Sequence, residues 1–534
     1  MLHPENRKGC QKGYYTLIVL LLSLFFGCND VHLKTADSIA IEDFSSWRTQ
    51  KYTLDEQLLR QTLKKMSDLD TDRTTADQRT KAWYGIESSH TALPLIWLSR
   101  LGVDERADTL LAELHRRVPE IGFTERSFRL PQIEEDLQRM RRLDFDDNDN
   151  TICRVAGRLE YNLTKAYLRY VFGQHFGFTN PLRTLNRLDA RETDSLGRPK
   201  GYRNLFDVNM ELPGPKYESV VLRKVQHDSL SRYLAEVLPT DKVYNLMKQQ
   251  LPTATGAQRQ RLLVNMDRRR WREHNPVCSA DKYIVVNVAA YHLWAVSPDS
   301  IVEMRAACGA QKTKTPLLTS QITHMELNPQ WLIPYSIIKN DIVRHAGDSS
   351  YFARHRYFVA DRKTGQRVNI RNVSRSMLMS GNYRVGQQGG AGNALGRIIF
   401  RFPNNFSVFL HDTSSPGVFQ RDDRGVSHGC VRVQQPFSLA CFLFDEKPDD
   451  WTLDKMRITM GMKPETSQGQ EYIAKLGPEQ KAELIRFLTV KPRVPIYITY
   501  YTLFPVPGTD LLATYPDVYG YDKVLYESMT TYLQ

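Results

Sequence analysis

Several signatures are missing from this chain, and each absence narrows what it does. It has no phosphate-cradling glycine loop, no Cys/His spacing of the zinc-binding kind and no RNA-binding signature. Despite a formal charge of +12, nucleic acid is therefore the weakest partner class, and none is expected. No repeat of fixed period occurs, so a solenoid or propeller is not indicated. Cysteine is scarce, with seven in 534 residues. The N-terminal apolar run, Tyr14–Phe26, is too short for a comfortable membrane span. What remains is an ordinary globular composition, 41% hydrophobic and 25% charged, able to bury a real core. The length suits about two to four domains. A positive balance favours anionic partners such as acidic lipid or a carboxylate-rich polymer.

Residues 1–28 read as an address. Arg7, Lys8 and Lys12 precede the apolar run, which ends in L-F-F-G-C at Cys28. A small residue before cysteine resembles the lipoprotein processing site, with Cys28 as the residue to be lipidated, although Phe25 and Phe26 make the match loose. A plain signal peptide and an uncleaved anchor are the other readings. A lipidated chain would hang from a membrane by its acyl chains. Residues 29–46 are polar and patternless, which suits a tether. Cys153, Cys278, Cys308, Cys430 and Cys441 would then remain, an odd set compatible with a free thiol and with pairing that cannot be read.

From 47 to 280 helical periodicity predicts a helical domain. Thr53 and Glu56 form a capping box ahead of Leu54, Leu58, Leu59, Leu63 and Met66. Further helices are predicted over 104–118, 131–142, 159–172, 217–235 and 257–271. The acidic run Asp144–Asn150 lacks the glycine of a calcium loop and reads as a helix-to-helix connection. Arg268–Arg270 with Arg272 reads as a solvated helix end, and Tyr161, Tyr167 and Tyr170 read as packing.

Near Lys282 the pattern turns to strands, predicted over 283–290, 291–296 and 301–308, with 315–327 extended. The segment N-P-Q-W-L-I-P (Asn328–Pro334) punctuates the chain, and 335–384 reads as an insertion with an aromatic and basic cluster. A glycine-rich run leads into a strand over 397–402. The stretch 406–433 then reads as a hairpin: one strand delivers His411, and the chain returns through S-H-G-C-V-R at Ser427–Arg432. Helices are predicted over 436–444 and 478–488, a late strand over 494–503, and 511–534 reads as a tail. The whole is α+β, a helical N-terminal domain followed over 281–510 by a mostly β domain with a lid insertion.

A thiolate nucleophile needs a nearby base in a partly exposed, electropositive setting. Cys430 has His411 and His428 as candidate bases, and Arg424 and Arg432 as positive charge. Gly429 permits close approach of a substrate and can leave an amide free for an oxyanion. Two residues before the cysteine, His428 points roughly parallel to the thiol in extended chain. A neighbouring strand makes His411 the better-aimed base.

His411, fifteen residues, then S-H-G-C-V-R resembles the active-site signature of the L,D-transpeptidases, whose catalytic domain is of the YkuD type. N-P-x-W-x-x-P at Asn328–Pro334, N-A-L-G at Asn393–Gly396 and V-P-I-Y-I-T-Y-Y at Val494–Tyr501 resemble the large, scaffold-bearing YcbB-like group. No separate peptidoglycan-binding module is visible in the sequence. The resemblance implies a thioester on Cys430, formed with the third residue of a tetrapeptide stem, and transfer to the diamino acid of a second stem. It implies His411 as base, His428, Gly429 and Ser427 as support and oxyanion donors, and Arg432 as a geometric or carboxylate-binding residue. It brings no cofactor and no metal, and it places the protein in the periplasm of a Gram-negative bacterium. Attachment of a protein to the wall, hydrolysis, and non-catalytic wall binding remain the other readings.

Overall fold

The computed structural model describes residues 54–534, apart from 86–94, 100–101, 227–228, 275, 277–278, 477–483, 507–508 and 510. The address segment, Cys28, Thr53 and Cys278 lie outside the described residues.

The N-terminal half is a helical assembly built on α5 (Ile152–Phe176), against which α1 (Glu56–Leu69), α2 (Thr75–Tyr84), α3 (Arg106–Glu120) and α4 (Leu130–Arg142) pack. Asp55 caps α1, its carboxylate accepting from the Leu58 amide at 2.9 Å. Because α5 runs through the core, its charged residues Glu160, Lys165 and Arg169 are buried and need partners. Glu160 accepts from the Ile96 and Trp97 amides and from the Tyr84 hydroxyl. Lys165 pairs with Asp70 and Asp72, and Arg169 with Asp72 and Asp77. Tyr161, Tyr167 and Tyr170 are buried in the same core. The predicted helix over 217–235 is two helices, Pro215–Gln226 and Leu230–Glu236. In the acidic loop, the Asp146 carboxylate accepts from the Asn148 and Asn150 amides.

The second half is a ten-stranded sheet, eight of whose strands close into a ring. These are β1 (Tyr283–Asn287), β2 (His292–Val296), β3 (Ile301–Gly309), β4 (Leu317–Leu327), β5 (Ile398–Arg401), β6 (Leu410–His411), β7 (Val431–Val433) and β8 (Phe487–Thr499). Their order around the ring is β5, β6, β7, β3, β2, β1, β8, β4 and back to β5. Closure removes the exposed edges that would otherwise pair with other chains. The predicted helix over 478–488 does not form where it is described: Leu484–Arg486 is irregular, and β8 starts at Phe487.

The insertion folds for itself. Trp331–Leu332, Tyr357–Asp361, Arg367–Val368 and Tyr383–Gln387 make an antiparallel four-stranded sheet over its own core of Ile333, Ile338, Ile342, Phe352, Val359, Val373, Leu378 and Val385. Its first and last strands pair with each other, so it joins the barrel through one narrow neck.

The two halves are sewn together. Phe206–Asp207, from the helical half, adds a parallel strand to β4. The C-terminal segment is no tail: Leu525 and Met529 sit in the barrel core while Tyr532 sits in the helical core. The arginine-rich stretch is not a solvated helix end either. In α6 (Gly256–Arg268), Arg268 is buried against Asp522 at 2.6 Å, and just beyond it Arg270 bonds Gln174 and the Tyr244 hydroxyl. Removing one partner of a buried pair leaves an uncompensated charge, which costs about 3–5 kcal/mol. Asp522→Ala should therefore lower the urea midpoint markedly while leaving the slope of the transition unchanged.

Candidate active site

β6 and β7 lie side by side and parallel, with Leu410 opposite Val431 and His411 opposite Arg432. The expected hairpin is thus corrected: after His411 the chain crosses over, pairs Gly425–Ser427 with β3, and re-enters in the same direction. Leu410 and Val431 point into the barrel core. Side chains alternate along strands, so His411 and Arg432 take the other face. Cys430, one residue before Val431, opens onto that face at the margin of the core.

Local chemistry shapes the turn into Cys430. Gly429 has φ +118°, and an added Cβ would find nothing nearer than 3.6 Å, so backbone angle rather than space demands glycine. The buried Ser427 hydroxyl donates to the Cys430 carbonyl at 2.5 Å and accepts from the Gly429 amide at 3.1 Å. The Gly429 amide is therefore engaged, contrary to the sequence expectation. The amides of His428 and Cys430 have no hydrogen-bond acceptor among the described residues.

His411 is buried, and its Nδ1 donates to the Asp412 carbonyl at 2.5 Å, leaving Nε2 as an acceptor. The Asp412 carboxylate is spent elsewhere, on the Arg397 and Thr413 amides. Gly396 meets it so closely that a Cβ would lie 2.4 Å from its atoms. Burial, helped by the Arg432 charge, pushes the His411 imidazole down to about 4. Burial pushes the Cys430 thiol up to about 11, against a backbone hydrogen bond from Phe409 and the charges of Arg401 and Arg432. Both groups are thus neutral at rest near pH 7. His428 is exposed.

Arg432 is half-buried, and its Nε has no partner among the described residues. Arg424 is not part of this site. Its guanidinium bonds the carbonyls of Ala306, Tyr291 and Arg421, and its charge acts on Cys308. Arg401 stands in its place, held by Glu326 at 3.2 Å and lying over the Phe409 ring at 4.8 Å. Only the pairing of β5 with β6 reveals it. The two outlying motifs also converge: the Asn393 side chain donates to the Pro329 and Gln388 carbonyls, fixing the loop whose Leu395 backbone flanks His411. A cleft of about 570 Å³ lies beside this loop, lined by Gly390–Asn393, Asp412–Ser414 and the start of the helix Pro436–Phe442.

Residues 281–444 match the profile of the YkuD L,D-transpeptidase catalytic domain, and residues 89–251 that of the Scaffold domain. The chain carries a YkuD-type L,D-transpeptidase catalytic domain together with a Scaffold domain, a YcbB-like architecture. A Haemophilus influenzae protein named "Putative L,D-transpeptidase" is 28% identical over 289 residues, which is 54% of this chain and 50% of that protein. The chain thus matches about half the length of that curated relative. A solved structure titled "Structure of the Ldtfm-avibactam carbamoyl enzyme" shares 14% identity over 32% of this chain and 46% of its own, with a TM-score of 0.18, too slight to build on. Within this transpeptidase domain lie Cys430, His411 and Arg432, and also the whole inserted sheet. The scaffold profile ends before Phe206–Asp207's partner strand begins, so the contact between the domains joins two matched regions.

Proposed function

We propose that this chain is a peptidoglycan L,D-transpeptidase that joins the third residues of two stem peptides through a thioester on Cys430. The observation that carries the reading is the parallel pairing that brings Cys430, His411 and Arg432 to one face. His411 Nε2 takes the thiol proton as Sγ attacks the carbonyl of the third residue, so no ion pair need exist beforehand. The oxyanion meets the His428 and Cys430 amides, where one donor is worth about 3 kcal/mol. Collapse breaks the amide bond, and the departing D-alanine amine takes the proton from His411. The amine of the second stem then attacks the thioester, giving its proton to His411 and returning the thiol. The unpartnered Arg432 guanidinium suits a stem carboxylate. Lipidation at Cys28 and a periplasmic position belong to the same reading. Incubating the mature protein with disaccharide-tetrapeptide and analysing products by mass spectrometry tests it: cross-linked dimer is the expected product, and its absence refutes the proposal.

In this reading the inserted sheet is the lid that keeps water from the thioester. Because it has its own core and one neck, excising residues 335–384 with a short glycine linker should leave the barrel's unfolding midpoint nearly unchanged. The ratio of hydrolysed tripeptide to cross-linked dimer should rise about tenfold. An unchanged ratio would refute the lid.

A further inference from the structure

A second cleft, of about 450 Å³, lies far along the chain from Cys430, where the end of α5 meets the C-terminal helix. Arg73, Arg183 and Arg187 rim it, and Phe176, Phe178 and Leu212 supply its apolar wall. All three arginines are exposed, and none has a carboxylate partner among the described residues. Asp72, Asp77 and Asp267 nearby are already engaged, and Glu211 is half-exposed. Asp72 and Asp77 hold Lys165 and Arg169, Asp267 accepts from the Phe178 and Thr179 amides, and Glu211 faces His274 at 4.0 Å. Three uncompensated guanidinium groups therefore converge on one concave, partly apolar surface. Leu212 is 51% exposed beside them.

We propose that this cleft is a second peptidoglycan-binding site, taking a carboxylate-bearing stem peptide on which it does no chemistry. Guanidinium forks match carboxylates bidentately, and the apolar wall accepts the methyl groups of an alanine-rich peptide. The size falls within the range of small-ligand pockets, about 300–1,000 Å³. Thr531 and Ser528, which line it, belong to the segment whose Met529 is fixed in the barrel core. A stem held here is thus held at a set distance from Cys430, and a polymer engaging both sites gains avidity without new contacts. The ligand class rests on the transpeptidase reading above.

The test compares the full chain with an Arg73→Gln/Arg183→Gln/Arg187→Gln variant. Four measurements are made: retention on purified sacculi across a salt series, binding to phosphatidylglycerol vesicles, turnover of soluble disaccharide-tetrapeptide, and the unfolding midpoint. Retention should fall at least about tenfold, as expected for lost charge-assisted bonds, with turnover and unfolding midpoint unchanged. Sacculi whose carboxyls have been amidated with carbodiimide and ammonia should retain the unaltered chain as poorly. Unchanged retention of the variant, or equal retention on amidated sacculi, overturns the proposal. So does a matching loss of turnover or stability, which would make the arginines structural. Loss of binding to phosphatidylglycerol vesicles with sacculus retention intact would assign the cleft to a lipid headgroup and also overturn it. If the unaltered chain fails to turn over tetrapeptide while arginine-dependent retention holds, the catalytic reading falls and this site stands.

Discussion

Cys430→Ala should remove every covalent adduct formed with a tetrapeptide donor. The expected fall in acylation rate is about 10⁴-fold or more, as for other catalytic nucleophiles acting with a base. No other described cysteine is placed to substitute. Cys308 is fully buried, and its thiol is pushed up to about 12 by burial. Cys153 is buried against the Asp55 backbone, its sulfur accepting from that amide at 3.2 Å. Cys441 lies on the helix Pro436–Phe442, its thiol raised by burial and by the Glu465 charge against that of Arg457. Intact-mass spectrometry checks the result, and a residual adduct in the variant sinks the assignment of Cys430.

The second large effect separates the histidines. His411→Gln should slow acylation by about 10²–10⁴-fold, the range for loss of a general base. His428→Gln should cost less than about tenfold, since an exposed imidazole next to an amide donor can be lost without moving that donor. The reverse ranking, in variants shown to be folded, would overturn the assignment. The pH profile adds an independent check. With its folded value pushed down to about 4, His411 is an available base throughout pH 5–8. The acid limb of acylation should therefore fall near pH 4 rather than near 6.5. Alkylation of the free thiol by iodoacetamide should keep rising from pH 7 toward pH 10, because burial holds Cys430 up at about 11. Linkage has a definite sign here. Between about pH 6.5 and pH 4 the unfolded chain binds the histidine proton and the folded chain does not. The His411 contribution to stability is thus complete above about pH 6.5 and is lost as the pH falls toward 4.

Much of the site was legible because its elements are short and local. A strand ending in His411 and a glycine forced into a positive φ before Cys430 both follow from neighbouring residues. Arg401 and the Leu395 backbone were not legible, since they reach the site only through strand pairing and loop anchoring. The hairpin expectation failed for a related reason. The polar loop after His411 contains a three-residue strand that pairs with β3, and that pairing carries the chain over so that β7 re-enters parallel.

By itself the sequence determined the order of the parts: helical periodicity up to about residue 272, alternation from Lys282, an insertion, and one cysteine in a reactive setting. Period and local composition are properties of a few adjacent residues, so they survive without knowledge of the fold. Only the tertiary structure decided which charges are already engaged. Arg424 and Arg432 look alike in the sequence, yet one is consumed by main-chain carbonyls and the other keeps an unpartnered Nε beside the thiol. The same holds for Arg268, which long-range pairing with Asp522 turns from a surface charge into a clamp between domains. A charged side chain does whatever its nearest opposite partner allows, and that partner is set by packing across hundreds of residues of chain.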